Sequence, residues 1–76
     1  MKKMKIRLSS IEDIRTFVST VIAFDYEIDL CSGRYVIDAK SIMGIFSLDL
    51  MNPIELVAHT DSAEELVEKL SPFIVE

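Results

Sequence analysis

Ala39-Lys40-Ser41-Ile42-Met43-Gly44-Ile45-Phe46-Ser47-Leu48 is the stretch on which the reading of this chain turns. A strand-like alternation runs into it and stops at Asp38-Ala39. Ser41 then stands where a helix would start, with a hydroxyl able to accept a hydrogen bond from an amide one turn on. Ile42, Met43, Ile45, Phe46 and Leu48 follow almost without a polar break. A helix this short cannot hide apolar groups on every side, so part of this set is expected to face water.

The segments on either side alternate or repeat in ways that name their structure. Towards the amino end, Arg34 to Ala39 reads as a strand and Ser32-Gly33 as a tight connection. Across that connection, Tyr26, Ile28 and Leu30 alternate with Glu27, Asp29 and Cys31, which completes a hairpin. Phe24-Asp25 turns the chain out of a helix in which Ile11, Ile14, Phe17, Val18, Val21 and Ile22 recur. Its many β-branched residues weaken helix propensity. The period outweighs them, because strict alternation fails there. Ser9 or Ser10 is placed to cap it, with Glu12 or Asp13 three residues later. Before it, Met4, Ile6 and Leu8 alternate with Lys3, Lys5 and Arg7, the pattern of a strand with one wet face.

Towards the carboxyl end, Asp49 to Pro53 is a loop with Asn52-Pro53 as its turn signal. Ile54, Leu56 and Ala58 alternate with Glu55, Val57 and His59 in a fourth strand. Thr60-Asp61-Ser62 is expected to cap a last helix, with Ser62 and Glu65 forming a capping box. Ala63, Leu66, Val67 and Leu70 make its apolar stripe. Pro72 ends or kinks it, and Phe73 and Ile74 are free to pack back. The order strand, helix, strand, strand, helix, strand, helix predicts a two-layer α+β sandwich with helices on one face. Residues 1–76 are expected to form a single domain.

Charge and composition narrow the function. Thirteen acidic residues against eight basic ones give a net charge of -5, which disfavours nucleic acid as a partner. Lys2, Lys3, Lys5 and Arg7 form the only basic cluster and read as a solvated strand face. Half the residues are hydrophobic, enough for a folded chain with one thin core. Cys31 stands alone, so no internal disulfide is available, and a reduced, cytoplasmic setting fits. Met1-Lys2-Lys3 is not followed by the apolar run of a signal peptide. No stretch approaches the ~20 apolar residues of a membrane span, so no membrane partner is expected. One histidine and one cysteine make no metal site, and Gly33 and Gly44 make no phosphate loop. No cofactor is expected.

Lys40-Ser41-Ile42-Met43-Gly44, followed by Ile45-Phe46, Ser47-Leu48 and a turn, resembles the second-helix segment of the HPr family. HPr proteins are small phosphocarriers of the bacterial sugar phosphotransferase system. The order of elements is also the HPr order, so the resemblance extends over nearly the whole chain. It implies a four-stranded antiparallel sheet with the helices on one side. A ferredoxin-like small-ligand regulatory fold shares the first six elements and is the alternative. Such folds normally need a longer second helix than Ser41–Leu48.

The resemblance also says where the chemistry should lie. HPr transfer uses a histidine in the loop before the first helix, because imidazole is a nucleophile near neutral pH and releases the phosphoryl group again. An arginine follows two residues later, and then a proline at the helix start. In this chain Ser10 falls at the position of the histidine, Glu12 at that of the arginine and Asp13 at that of the proline. No histidine precedes His59. Two carboxylates at a helix start suit the helix dipole but repel an incoming phosphoryl group. The expectation is therefore a member without the carrier histidine: not an enzyme, but a regulatory or adaptor protein acting through protein contacts. Its implied partners are phosphotransferase-system or sugar-responsive regulatory proteins. A diverged carrier that uses Ser10 or His59 is the rival reading.

In many Gram-positive HPr proteins the serine corresponding to Ser41 is phosphorylated by a dedicated kinase, and the product binds a sugar-responsive repressor. The resemblance thus marks Ser41 as a regulatory phosphorylation site, where a phosphate would meet free amides and the positive end of the helix. The plainer reading of Ser41 is a helix cap. Lys40, Ile42, Met43 and Phe46 match the family's docking surface, with burial under the following loop as the alternative. His59, among Glu55, Asp61, Glu64 and Glu65, is expected as an ordinary surface histidine. Cys31 reads as a packed strand residue, and Arg15 as an ion-pair partner of Glu12.

A chelator is expected to leave the circular-dichroism spectrum and the unfolding midpoint of the protein unchanged. Loss of structure on chelation would contradict a fold that rests on apolar stripes alone.

Overall fold

The computed structural model describes residues 1–75. Its elements are β1 (Lys2–Ile6), α1 (Ile11–Ile22), β2 (Ile28–Ser32), β3 (Tyr35–Asp38), α2 (Ile42–Phe46), β4 (Ile54–Ala58) and α3 (Glu64–Lys69). The four strands form one sheet in the order β1-β4-β2-β3. Every neighbouring pair is antiparallel. Thus β4, late in the chain, slots between β1 and β2. Lys2 pairs with Ala58 and Ile6 with Ile54 on one side of β4, and Ile28 pairs with Ala58 on the other.

Alternation decides which face is covered. Met4, Ile6, Ile28, Leu30, Ile54, Leu56 and Ala58 are buried. They meet the stripe of α1, Ile14, Phe17, Val18 and Val21, together with Leu66 and Leu70 at the end of the chain. The opposite face carries Lys3, Lys5, Asp29, Cys31, Glu55 and Val57, with Val57 sheltered between Lys3 and Asp29 on the flanking strands. Phe73 packs back as expected. Its ring meets that of Phe17 edge to face, with centroids 6.2 Å apart. The following residues run along β1, where Arg7 donates to the Phe73 carbonyl and Val75 to that of Lys5.

Four local expectations shift. The hairpin loop is Gly33-Arg34, one residue later than Ser32-Gly33, because Ser32 pairs with Tyr35. Gly33 has φ of +61° at the first central position, which a side chain would strain and glycine does not. Tyr26 and Glu27 lie before β2, and Tyr26 packs instead on Phe24 at a centroid distance of 5.7 Å. The capping box of the last helix does not form. Ala63 is the N-cap of α3 and makes no side-chain cap. Thr60 Oγ1 instead accepts from the Ser62 amide, and the Ser62 hydroxyl donates to Glu64 at 3.0 Å. The Glu64 carboxyl is held below its ordinary range by its own backbone N–H and by that hydroxyl. Arg15 makes no ion pair with Glu12 among the described residues.

The other two caps stand where the serines predict them. Ser10 caps α1 by accepting from the Asp13 amide at 3.1 Å, and Asp13 accepts in turn from the Ser9 amide at 3.0 Å. α2 is a helix of five residues, too short for the ferredoxin-like alternative.

Phe17 is fully buried between the sheet and Phe73. Phe17→Ala is expected to cost ~3–5 kcal/mol, a large share of the stability of so small a domain. Urea denaturation measures it; a loss below ~1 kcal/mol would place Phe17 outside the centre of the core.

Candidate interaction site

α2 is pinned from one side only. Ser41 is extended and its hydroxyl accepts from the Gly44 amide at 3.3 Å. Ile45 is fully buried, Leu48 is buried, and Ile42 is half-buried against the core. Gly44 lets the helix settle onto β3, since a Cβ there would come within 3.3 Å of Ile37 Cδ1. Ser47 closes the far end, its hydroxyl donating to the Gly44 carbonyl at 2.6 Å. With Ile45 turned inward, Met43 and Phe46 must turn outward. They lie three residues apart, on one side of the helix, and are 75% and 46% exposed.

The four residues expected on the docking surface therefore have different surroundings. Met43 and Phe46 face solvent, and Ile42 is half-covered. Lys40 reaches the other way, its Nζ donating to the Phe24 carbonyl at 2.6 Å. The last turn of α1 has no basic residue of its own. Lys40 supplies the positive charge that the carboxyl end of a helix favours. Its ammonium ties α1 to the start of α2.

Next to Phe46 the structure adds residues that the sequence reading did not place there. Asp49 folds the loop after α2 by accepting from the Met51 amide at 3.0 Å and from Asn52 at 3.2 Å. Arg7 Nη2 donates to the Met51 carbonyl at 2.8 Å, which ties this loop to the exit of β1. Arg7, Ser10, Ile11, Phe46, Leu50 and Met51 consequently line one shallow groove. Ile11 and Met51 are exposed at its rim. Ile11 continues the core stripe of α1 one turn beyond the residues that cover the sheet, so its helical spacing read as burial. Met51 sits in an irregular loop, where no period exists to signal its direction.

The Ser10 hydroxyl is engaged as a helix cap, with Glu12 and Asp13 at the same helix start. No imidazole is at hand to activate it. The β1–β4 register carries His59 past the Lys2 end of the sheet, whereas Ser10 follows the Ile6 end. His59 lies at the surface, with Nε2 2.8 Å from Asp29 Oδ2. That pairing leaves no local signal in the sequence, because it joins Asp29 of β2 to a residue just past the end of β4, diagonally across the ladder. Cys31 is half-buried on the open face opposite Glu55, which offers a thiolate no positive charge. No cluster of three metal-ligating side chains occurs among the described residues. No helix there is long and apolar enough to cross a membrane.

Comparison with known proteins bears on the fold and the site together. The family model described as "PTS HPr component phosphorylation site" matches residues 13–76. A solved structure of HPr-C-His from Thermoanaerobacter tengcongensis is 30% identical with a TM-score of 0.80, and the match covers 95% of this chain and 89% of that one. A phosphocarrier protein HPr from Bacillus anthracis str. Ames is 26% identical with a TM-score of 0.72, over 97% of this chain and 94% of that one. No curated protein matches the sequence. A family model that spans most of the chain, on a sheet and helices shared with two HPr structures almost end to end, makes this chain a member of the HPr family of the phosphotransferase system.

Proposed function

We propose that this HPr-family protein is not a carrier but a regulator or adaptor, acting as a single cytoplasmic domain through contacts with phosphotransferase-system or sugar-responsive proteins. One observation carries the reading. Where the family resemblance puts the phosphoacceptor, the groove holds Ser10, a hydroxyl engaged as a cap at a helix start bearing Glu12 and Asp13. A phosphoryl donor approaching that point meets two carboxylates. Beside it, Met43 and Phe46 offer exposed apolar surface on a helix anchored from behind by Ile45. Exposed apolar groups of this kind favour a protein partner. Ser41, at the other end of α2, is exposed, and its hydroxyl is the cap of the helix that carries the patch. A phosphate on Ser41 would add about -1.5 to -2 charges close to Met43 and so tune what docks there.

The rival reading, a diverged carrier, draws on the His59–Asp29 pair, since a carboxylate at 2.8 Å orients an imidazole. Incubation with phosphoenolpyruvate and the general transferase of the system separates the two. The protein is expected to acquire no label. Label that disappears on His59→Ala or Ser10→Ala would establish the carrier instead.

Binding distinguishes a cap from a switch at Ser41. Ser41→Ala is expected to lower stability by ~1 kcal/mol, and Ser41→Asp to retain most of it, because a carboxylate also caps and favours the dipole. Under the regulatory reading Ser41→Asp changes partner affinity in a pull-down. Met43→Asp is expected to weaken binding more, by placing a charge in an apolar contact, while leaving the far-UV spectrum and the unfolding midpoint near those of the wild type. An unfolded Met43→Asp variant would show that Met43 is part of the core and that the docking surface lies elsewhere.

A further inference from the structure

The two edges of the sheet are treated differently. The outer edge of β1 is covered by the end of the chain, through the bonds from Arg7 to Phe73 and from Val75 to Lys5 and the bridge between Ile6 and Ile74. Among the described residues the outer edge of β3 has no such cover. The Ala39 amide donates to the Ile28 carbonyl, which fixes the phase of the β2–β3 ladder. Tyr35 and Ile37 aim their main-chain groups at β2, whereas Val36 and Asp38 aim theirs outward. Among the described residues the Val36 amide and carbonyl, the Asp38 amide and the Arg34 carbonyl have no hydrogen-bond partner. β3 has no proline and no lysine to blunt its edge. Two of its four residues, Tyr35 and Val36, are exposed apolar side chains at 66% and 64%.

We propose that β3 pairs antiparallel with β3 of a second copy of this chain, about a twofold axis at Val36. The charge pattern selects that register. Centred on Val36, Arg34 falls opposite the partner's Asp38, and the symmetry repeats the pair at the other end. Opposite charges directly across a ladder attract. The same register joins the free groups to one another: Val36 to the partner's Val36 in both directions, and the Asp38 amide to the partner's Arg34 carbonyl, twice. Tyr35 lies across from the partner's Ile37, an aromatic against a β-branched side chain. Centring on Ile37 would set Arg34 against the partner's Lys40, and centring on Asp38 would oppose two carboxylates. Facing residues in an antiparallel pair share a face. The result is therefore a continuous eight-stranded sheet with both helix layers on one side. Four residues from each copy make a contact well below the ~800 Å² per partner of a standard interface, so the dimer is weak and concentration-dependent.

Sedimentation velocity on the full chain over a dilution series tests this. The wild type is expected to shift from monomer to dimer as concentration rises. Arg34→Glu, in an exposed turn, puts like charges opposite at both ends and is expected to raise the dissociation constant by about tenfold. The exchange Arg34→Glu/Asp38→Lys restores the pairing and is expected to return it to near the wild-type value. Circular dichroism checks that each variant is folded. A wild type that stays monomeric up to millimolar concentration overturns the proposal. So does an Arg34→Glu variant that dimerises as well as the wild type, or a dimer abolished by Met43→Asp, which would place the contact on α2 instead.

Discussion

The burial of Ile45 is the constraint on which the exposed part of this molecule depends. α2 has five residues and one fully buried side chain, so a single anchor sets its rotation. Helical geometry then leaves Met43 and Phe46 nowhere to go but outward. Gly44 eases the anchoring, since a Cβ there would crowd Ile37 of β3 at 3.3 Å. Lys40 makes it electrostatically favourable by bringing its ammonium to the end of α1. An isolated helix of this length does not hold itself together in water. Its order is borrowed from the sheet and from α1, and the patch it displays is a property of the whole fold.

The start of α1 shows one local sequence serving stability and, on the function proposed above, disfavouring a chemistry. Ser9, Ser10 and Asp13 exchange two hydrogen bonds across the helix start, and Glu12 adds a second carboxylate there. For the helix these are favourable choices. For a phosphoryl group they are the wrong sign, and the hydroxyl that faces the groove is already accepting a hydrogen bond. Arg7, whose guanidinium lines the groove, donates to the Met51 carbonyl and holds a loop in place. The groove keeps its shape from this bond and its apolar character from Ile11, Phe46, Leu50 and Met51.

Much of the fold was legible because its signals are periodic. The period-two runs on β1 and β4 identified Ile6, Ile54 and Leu56 as core, and the period of α1 identified Phe17. What misled were short-range signals with several uses. Ser62 and Glu65 have the spacing of a capping box, yet the Ser62 hydroxyl finds Glu64 first. Ser32-Gly33 reads as a turn, but the closing pair of the ladder includes Ser32 and moves the turn on by one. At the candidate site Ser10, Met43 and Phe46 could be named from the chain. Their neighbours Arg7 and Met51 could not, because a hydrogen bond across 44 residues of sequence leaves no local trace. The direction of Lys40 was hidden for the same reason: its acceptor is a main-chain carbonyl, which no residue type reveals.

The most direct test of the central claim combines amide-shift mapping with phosphorus NMR on the isotopically labelled protein. It is mixed with phosphoenolpyruvate, the general transferase and a candidate partner of the phosphotransferase system. The account predicts shifts clustered at Ile11, Met43, Phe46 and Met51, with no phosphoramidate signal. A phosphoramidate signal accompanied by shifts centred on His59, with the α2 patch silent, would contradict it.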